Sequence, residues 1–298
     1  MNIKKHDIIR TSSLRKNEQG VVGIVVTVLL IGLILAVTVM IQTAYIPQWL
    51  EESEATHMDE VSNEFTRLKY ALDIQSLVND STSVSTFISL GIKEIPVFNT
   101  GRTFDDLRII DDAFYMTIER NGTAEVKEFS SDSIVFTSKN SYFVNQKYIY
   151  EGGALILQQD PTNILYGNPN IKVTEYNFSL SLVLVNISVV SGSDAVSGYG
   201  NYPIYTEVQS NEFYNYSWCW DLFENVTNIT IFSSYPHAWY TAFNSSLRNM
   251  WNNYTIDEQS DRVVIRFRES PTSDRYIPNL FKVHEVKVNT KISFGLTQ

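Results

Sequence analysis

An uncharged stretch of 21 residues, 21–41, constrains this chain more than any other feature. Its only polar side chains are those of Thr27 and Thr38, and both hydroxyls can bond back to helix carbonyls. A helix over this stretch is roughly 31 Å long, which is the thickness of the hydrocarbon core of a bilayer. The stretch therefore predicts a membrane-spanning helix; a buried helix of a soluble protein is the alternative.

The charges on the two sides of this stretch predict its orientation. Residues 1–20 carry five basic and two acidic side chains, +5 − 2 = +3, so the rest of the chain carries −10 − 3 = −13. Because cytoplasmic flanks of membrane spans are enriched in Lys and Arg, we expect a cytoplasmic N-terminus and an extracellular C-terminal domain in a cell membrane. Tyr45 and Trp49 follow where interfacial aromatic residues are expected, and Pro47 is expected to end or kink the helix.

The residues that precede the apolar stretch resemble a known type of leader. A secretory signal peptide has an apolar region about half as long and then a small-residue cleavage site, which MIQTAYIPQW lacks. A short basic leader ending in Gly20 resembles the class III signal of type IV pilins and archaeal flagellins, which a membrane peptidase cuts while the helix stays attached. The resemblance implies cleavage between Gly20 and Val21. Gln19 and Val25 replace a basic residue usual in archaeal leaders and a glutamate of bacterial pilins.

Composition predicts that most of the remaining chain folds, because 44% of its 298 residues are hydrophobic and 19% are charged. A single cysteine, Cys219, excludes an internal disulfide framework and a cysteine-based metal site. The net charge of −10 argues against a nucleic-acid partner, since binding to phosphates needs a basic surface. It suits a soluble domain exposed at a cell surface.

Beyond Pro47 the sequence predicts an amphipathic helical stalk that extends to residue 78. Its charged residues, among them Glu54 and Glu64, are expected on faces away from the apolar seam. The seam is expected to pack either on the chain's own globular domain or on neighbouring subunits, as the second half of a pilin's long helix would. Its residues recur at spacings of three and four: Met58, Val61, Phe65, Leu68 and Leu72.

From residue 80 onwards the pattern changes to strands. In RVVIRFRE apolar residues alternate with arginines, and in HEVKVNTKISF a mostly apolar face that includes His284 alternates with a polar face that includes Glu285. NFSLSLVLVNISVV becomes apolar on both faces, which is typical of a central strand. We predict a mostly antiparallel, β-sandwich-like domain.

One amphipathic helix is predicted to interrupt this domain. In SSYPHAWYTAFNSSLRNMWNNY, Pro236 suits the first position of a helix. Trp239, Phe243, Leu247 and Trp251 follow at intervals of four along one stripe. We expect this stripe to dock on the sheet.

Three stretches of the chain together resemble an uncharacterised family of archaeal surface proteins that begin with a pilin-like or flagellin-like segment. The stretches are QTAYIPQWLEESEATHMDEV, YIYEGGALILQQ and YPHAWYTAF. The family has no established activity, so the resemblance implies location and architecture only.

Asn-X-Ser/Thr sequons support an extracellular location. The chain has nine beyond the apolar stretch, whereas its composition predicts about four by chance. Asn186 shares the strand face of Leu182 and Leu184, so no glycan is expected there. The other eight are candidate glycosylation sites: Asn79, Asn121, Asn177, Asn215, Asn225, Asn228, Asn244 and Asn253.

The sequence predicts no catalytic, cofactor-binding or metal-binding residues. Of four histidines, two lie in the leader and the stalk, and His284 lies on an apolar strand face. No nucleophile elbow, zinc-binding helix, phosphate loop or dinucleotide fingerprint is present. Four aspartates could bind calcium, but their spacing matches no EF-hand loop and a solvated face is expected: Asp105, Asp106, Asp111 and Asp112. The chain is predicted not to be an enzyme.

Aromatic residues are concentrated between residues 199 and 254, where 16 of 56 residues are Phe, Tyr or Trp. Most are expected in the core, because aromatic side chains bury large apolar areas. Trp218 and Trp220, which flank the single cysteine, are candidates for stacking on sugar rings or on a partner protein if their strand face is exposed.

The predicted organisation is a basic cytoplasmic leader (1–20), a transmembrane or pilin-like helix (21–46), a helical stalk (47–78) and an extracellular β-rich domain (80–298). Two functions fit it: a pilin-like subunit or minor component of a filament like a type IV pilus, or a single-pass membrane-anchored adhesin or envelope binding module. The expected partners are membrane lipid and, in the filament, identical subunits or other pilin-like proteins. No surface ligand is predicted.

Overall fold

The computed structural model describes residues 6–78, 82–92, 103–120, 126–174, 179–189, 194–217, 226–248, 254–267 and 280–293. It begins with three consecutive helical segments. Helix α1 covers His6–Met40, a π-helical turn covers Ile41–Tyr45, and helix α2 covers Ile46–Leu77. A mixed, mostly antiparallel β sheet follows, as the sequence predicts.

The sheet has 14 strands among the described residues. In chain order they are β1 Val84–Leu90, β2 Asp105–Arg120, β3 Val126–Thr137, β4 Lys147–Glu151, β5 Ala154–Gln159, β6 Thr162–Gly167, β7 Asn170–Thr174, β8 Ser179–Val189, β9 Ala195–Gly198, β10 Gly200–Ser217, β11 Val226–Phe232, β12 Tyr254–Glu258, β13 Arg262–Phe267 and β14 Leu280–Ile292. Helix α3, Pro236–Leu247, lies between β11 and β12.

The strand order along the sheet is β1, β10, β14, β8, β3, β2, β11, β13, β12, with β4, β5 and β6 extending from β3. Strand β7 pairs with β8, and β9 pairs with β2. Strands β8 and β14 pair in parallel, with Val183 opposite His284. Strands β3 and β8 meet at a single residue pair, Asp132 and Ile187, so two larger parts of the sheet are joined at one point.

Two hydrophobic cores lie on the two faces of strand β8. Val185 and Ile187 belong to the core under helix α2, whereas Leu182 and Leu184 belong to the core under helix α3. Successive side chains of a strand point to opposite faces, so a strand that contributes to both cores must be apolar on both. The prediction of a central strand here is confirmed.

Helix α3 docks as its sequence stripe predicts. Pro236 occupies its first turn, where the missing N–H has no helical partner to lose. The stripe residues Trp239, Phe243 and Leu247 are at most 1% exposed and belong to the α3 core. Trp251, the fourth residue of the predicted stripe, lies outside the described residues.

Candidate functional site

The C-terminal half of helix α1 exposes apolar side chains on all sides. The exposed fraction of its large apolar residues runs from 48% at Val37 to 68% at Leu29. The hydroxyls of Thr27 and Thr38 donate to the carbonyls of Gly23 and Ile34, at 2.9 and 2.8 Å, as predicted. An 18-residue window of this helix has a mean hydropathy of 3.1, so the helix is long and apolar enough to cross a membrane.

The helix changes geometry just before Pro47. A proline ring clashes with the carbonyl four residues earlier, here that of Thr43, and cannot donate a hydrogen bond to it. The π-helical turn over Ile41–Tyr45 widens the backbone at this point, and the N–H of Ile46 donates to the carbonyl of Ile41. Pro47 therefore lies in the first turn of helix α2, directly after this wide turn. The chain stays helical through this point, so the helix does not end where the sequence predicts an end or a kink.

Helix α2 is part of the core of the β domain. The five residues of its predicted apolar seam are at most 1% exposed: Met58, Val61, Phe65, Leu68 and Leu72. They pack with strands from both parts of the sheet; the Phe65 ring, for example, stacks on Tyr148 at 5.7 Å between ring centroids. Two partners were predicted for the seam, and in the structure it packs on the chain's own domain.

Polar contacts at several positions along helix α2 add to this packing. The amide of Gln75 donates to the carbonyl of Thr206 at 3.0 Å, and its oxygen accepts from the Thr206 hydroxyl at 2.9 Å. The Lys69 ammonium donates to the carbonyl of Gly153 at 3.0 Å. The Glu64 carboxylate accepts from both the N–H and the hydroxyl of Ser89 at 2.7 Å, while its burial raises its pKa. Directional contacts of this kind fix where the helix lies along the sheet.

Glu54 binds the turn between strands β3 and β4. Its carboxylate accepts hydrogen bonds from the N–H groups of Ser141, Tyr142 and Phe143, at 3.0, 2.7 and 2.6 Å. Glu54 is 2% exposed, so the expectation that it lies away from the apolar seam is wrong. The three backbone donors explain how this carboxylate is accommodated in the interior. Its spacing of four before Met58 was the signal that it belongs to the buried face.

His57 and Asp105 form a buried pair that sequence reasoning missed. Asp105 is fully buried, and its carboxylate lies 2.8 Å from His57 Nε2. The same carboxylate accepts from the N–H groups of Gly91 and Lys139, at 2.8 and 2.9 Å. His57 lines an open cleft of about 610 Å³ between helix α2 and the loops around residues 89–92 and 199–201. Among the described residues, the hydrogen bond of the His57 imidazole is the one to Asp105, and none joins it to a hydroxyl or thiol.

The four aspartates considered for calcium are not brought together. Asp105 is committed to His57 and to backbone N–H groups, and Asp106 pairs with Lys139 at 2.8 Å. Asp111 and Asp112 lie further along the same strand, and residues five apart in a strand are about 16 Å apart. No group of three metal-ligating side chains occurs within the described part of the chain.

A second buried carboxyl group, that of Glu151, joins strand β4 to helix α3. It accepts hydrogen bonds from the indole of Trp239 at 2.7 Å and from the hydroxyls of Ser233 and Ser133 at 2.5 and 3.3 Å. Burial raises the pKa of Glu151 to about 7 although these donors lower it. The following Gly152 has φ +56, and a Cβ there would lie 3.2 Å from Trp239, so the position favours glycine. YEGGA and YPHAW, two stretches behind the family resemblance, thus meet in space.

Three of the sequon side chains lie in the described part of the chain. Asn244 is exposed on helix α3, whereas Asn228 and Asn186 are half-buried in strands β11 and β8. The amide of Asn228 donates to Glu119, and that of Asn186 to Glu285, each at 2.7 Å. Asn215 lies in β10, and its side chain is not described. The others lie outside the described residues: Asn79, Asn121, Asn177, Asn225 and Asn253.

Of the remaining predicted site residues, one pair lies in helix α1 and the other lies outside the described residues. Gly20 and Val21, the residues of the predicted cleavage site, lie within helix α1, and Val21 is 61% exposed. Trp218 and Trp220, the candidates for ligand stacking, lie outside the described residues, as does Cys219. No known protein family, curated protein or solved structure matches the chain.

Proposed function

We propose that this chain is a non-enzymatic cell-surface protein whose N-terminal helix anchors it in a membrane and makes it a pilin-like subunit or minor component of a type IV pilus-like archaeal filament. One observation carries the proposal. The exposed apolar half of helix α1 continues through a π-helical turn into helix α2, whose apolar seam is buried against the β domain. An apolar helix that continues from a helix docked on the domain is suited both to insertion in lipid and to assembly with other apolar helices.

The alternative is a monomeric, single-pass anchor that displays the β domain as an adhesin or envelope binding module. The apolar seam of helix α2 favours it, because the chain's own sheet already covers that seam. Subunits of a filament would then have only the helix before Ile46 and the outer surface of the domain for mutual contact. In this alternative, Trp218 and Trp220 are the proposed surfaces for a sugar or protein ligand.

Several finer features belong to the proposal. The N-terminus is cytoplasmic and the β domain extracellular, as the charges around the apolar stretch favour. The leader is of class III and is cut between Gly20 and Val21. The domain is sandwich-like, which the single pair joining the two parts of the sheet, Asp132 and Ile187, supports. It is also glycosylated, and exposed Asn244 is the described site best suited to it.

The decisive experiment is intact mass and N-terminal sequencing of the protein from its native envelope, beside a sheared-filament fraction. A chain that begins at Val21 and is enriched in the sheared fraction supports the filament. A chain that retains its first residues and occurs only in membranes overturns the filament and leaves the anchor.

Two variants sharpen this experiment. Gly20→Leu changes the residue before the predicted cut and is expected to keep the leader attached. Gly23→Ala is the matched control, because a Cβ at Gly23 meets nothing within 4 Å. Equal N-terminal processing of the two variants would contradict cleavage after Gly20.

A further inference from the structure

The cleft beside helix α2 has the size of a site for a small organic ligand, at about 610 Å³. Its opposite wall is formed by residues 89–92, at the end of strand β1, and by residues 199–201, where strand β10 begins. Intervals of three and four place the lining residues of α2 on one helix face, over about 17 Å of its length. These residues include Trp49, Glu52, Thr56 and Glu60.

The cleft carries negative charge. Glu52 and Glu60 are exposed on α2, and among the described residues no ion pair uses either carboxylate. No Lys or Arg is found among the lining residues that the structure describes. A third carboxylate, that of Glu64, accepts from Ser89 on the opposite wall at 2.7 Å. A ligand of positive charge is therefore favoured here.

His57 adds an acceptor nitrogen to these carboxylates, although it is only 6% exposed. Its Nε2 lies 2.8 Å from the Asp105 carboxylate, which also accepts from two backbone N–H groups, so Nε2 is the donor of this pair. The other ring nitrogen, Nδ1, bonds to none of the described residues and is not sealed inside the fold, so it opens on the cleft. In the neutral imidazole, Nδ1 is then an acceptor without a partner.

The hydroxyls of two lining residues are already engaged within the protein. Thr56 donates to the carbonyl of Glu52 at 2.8 Å, and the Ser89 hydroxyl lies 2.7 Å from the Glu64 carboxylate. A ligand therefore meets acceptors at Glu52, Glu60 and His57. Such a set favours a ligand rich in N–H donors over a neutral sugar, whose hydroxyl oxygens also need donors from the protein.

Aromatic rings complete the cleft. Trp49 on α2 is 47% exposed, and Tyr199 lies between strands β9 and β10. The faces of Trp and Tyr rings attract organic cations, and the combination of rings with carboxylates is suited to an ammonium group on a carbon chain.

We propose that this cleft binds an organic cation that carries primary ammonium groups. Glu52 and Glu60 supply the opposite charge, Nδ1 of His57 accepts an N–H, and Trp49 packs against the carbon chain. Two sources offer this chemistry: a free polyamine, or a lysine side chain of a partner protein. The inference goes beyond the proposed function, because it applies to a filament subunit and to a monomeric anchor alike.

Calorimetric titration of the full chain at neutral pH, in a nonionic detergent without a sugar headgroup, tests this inference. Spermidine is the probe for a free polyamine, and the peptide acetyl-Gly-Lys-Gly-amide is the probe for a lysine side chain. The same peptide with its lysine acetylated is the uncharged control. Methyl glucoside is the probe for a neutral sugar.

Two double variants show where the charged probes bind. Glu52→Gln with Glu60→Gln removes two charges from the cleft and is expected to weaken binding at least about tenfold. Glu51→Gln with Asp59→Asn removes the same charge from exposed positions of α2 outside the lining and should weaken it less than about twofold. All four positions are exposed, so both variants are expected to fold.

Binding of either charged probe that is lost with the acetylated peptide and in the Glu52→Gln, Glu60→Gln variant would confirm the site. The tighter of the two probes would then identify the source of the ammonium group. Three results would overturn the inference: no binding of either charged probe, binding of the acetylated peptide or methyl glucoside equal to theirs, or equal weakening in the two double variants. None of these results bears on the leader or the anchor, which N-terminal sequencing tests separately.

Discussion

Helices α2 and α3 cover opposite faces of strand β8, and they dock in different ways. Both bury an apolar stripe, that of Phe65 in α2 and that of Phe243 in α3. Helix α2 makes polar contacts to backbone and side chains over several turns. Helix α3 contacts one buried carboxyl group, that of Glu151, and one at the surface, that of Glu258, through His237. Apolar stripes supply docking energy without direction, and polar contacts fix position. Helix α2, which continues from the exposed apolar half of α1, is the one with more of these polar contacts.

The largest expected effect tests whether the seam of helix α2 is a structural core. Phe65→Ala is expected to lower the free energy of unfolding by about 3–5 kcal/mol, because it opens a cavity beside Tyr148. Phe243→Ala in the α3 core should cost a similar amount. The measurement is denaturant unfolding of the full chain in detergent. Tyr70→Ala, at a position on α2 that is 64% exposed, is the control and should change little. A near-zero effect of Phe65→Ala would contradict a docked α2.

The second prediction concerns Glu151, the carboxyl group of the α3 side. Its pKa is about 7 in the folded protein against 4.5 for a free side chain, so the folded state binds more protons between these values. Stability from this group is therefore greatest at low pH and declines as pH rises from 4.5 to 7, by at most about 3 kcal/mol. The measurement is the free energy of unfolding as a function of pH.

Comparison with a variant isolates this group from the other titrating side chains. Glu151→Gln stays neutral and is expected to lack the decline between pH 4.5 and 7. Glu207→Gln, at an exposed position of strand β10, should keep the wild-type profile. Identical pH profiles for wild type and Glu151→Gln would show that Glu151 does not titrate in this range.

The third prediction concerns Glu54 on the α2 side. Glu54→Gln leaves one acceptor oxygen and brings an NH₂ group toward backbone N–H donors, so at least one partly buried donor loses its partner. We expect a loss of about 1–3 kcal/mol in the free energy of unfolding. Glu52→Gln, at an exposed position in the same turn of α2, should be neutral. Faster hydrogen exchange at Ser141, Tyr142 and Phe143 in Glu54→Gln only would confirm that the effect acts through the turn.

Local spacing explains why some of this architecture was predictable. The seam of α2 and the stripe of α3 follow the helical period, and the alternation in β13 follows the period of a strand, so each buried face could be read from its own segment. Val263, Ile265 and Phe267 are at most 5% exposed, as the alternation predicts. Each of these buried faces follows from the spacing of residues that are close together in the sequence.

The polar partners depend on residues that are far apart in sequence. Glu54 meets backbone donors 87 to 89 residues away, and Glu151 meets Trp239 after 88 residues. The strand order, including the parallel pairing of β8 with β14, sets these distances, and no local period encodes it. The turn could therefore be predicted from YEGGA, but the role of its glutamate, Glu151, as a buried hydrogen-bond acceptor in the α3 core could not.

The smallest expected effect on stability concerns the sequons and separates exposed from engaged asparagines. Asn244 is exposed on helix α3, so glycan is expected there and Asn244→Gln should remove it with a change below about 0.5 kcal/mol. The amides of Asn228 and Asn186 already donate to Glu119 and Glu285, and a glycan on that nitrogen would compete with the hydrogen bond. Peptide mass spectrometry of protein from its native envelope should find Asn244 occupied and the other two empty. Glycan on Asn228 or Asn186 with Asn244 empty would contradict the strand faces on which these side chains lie.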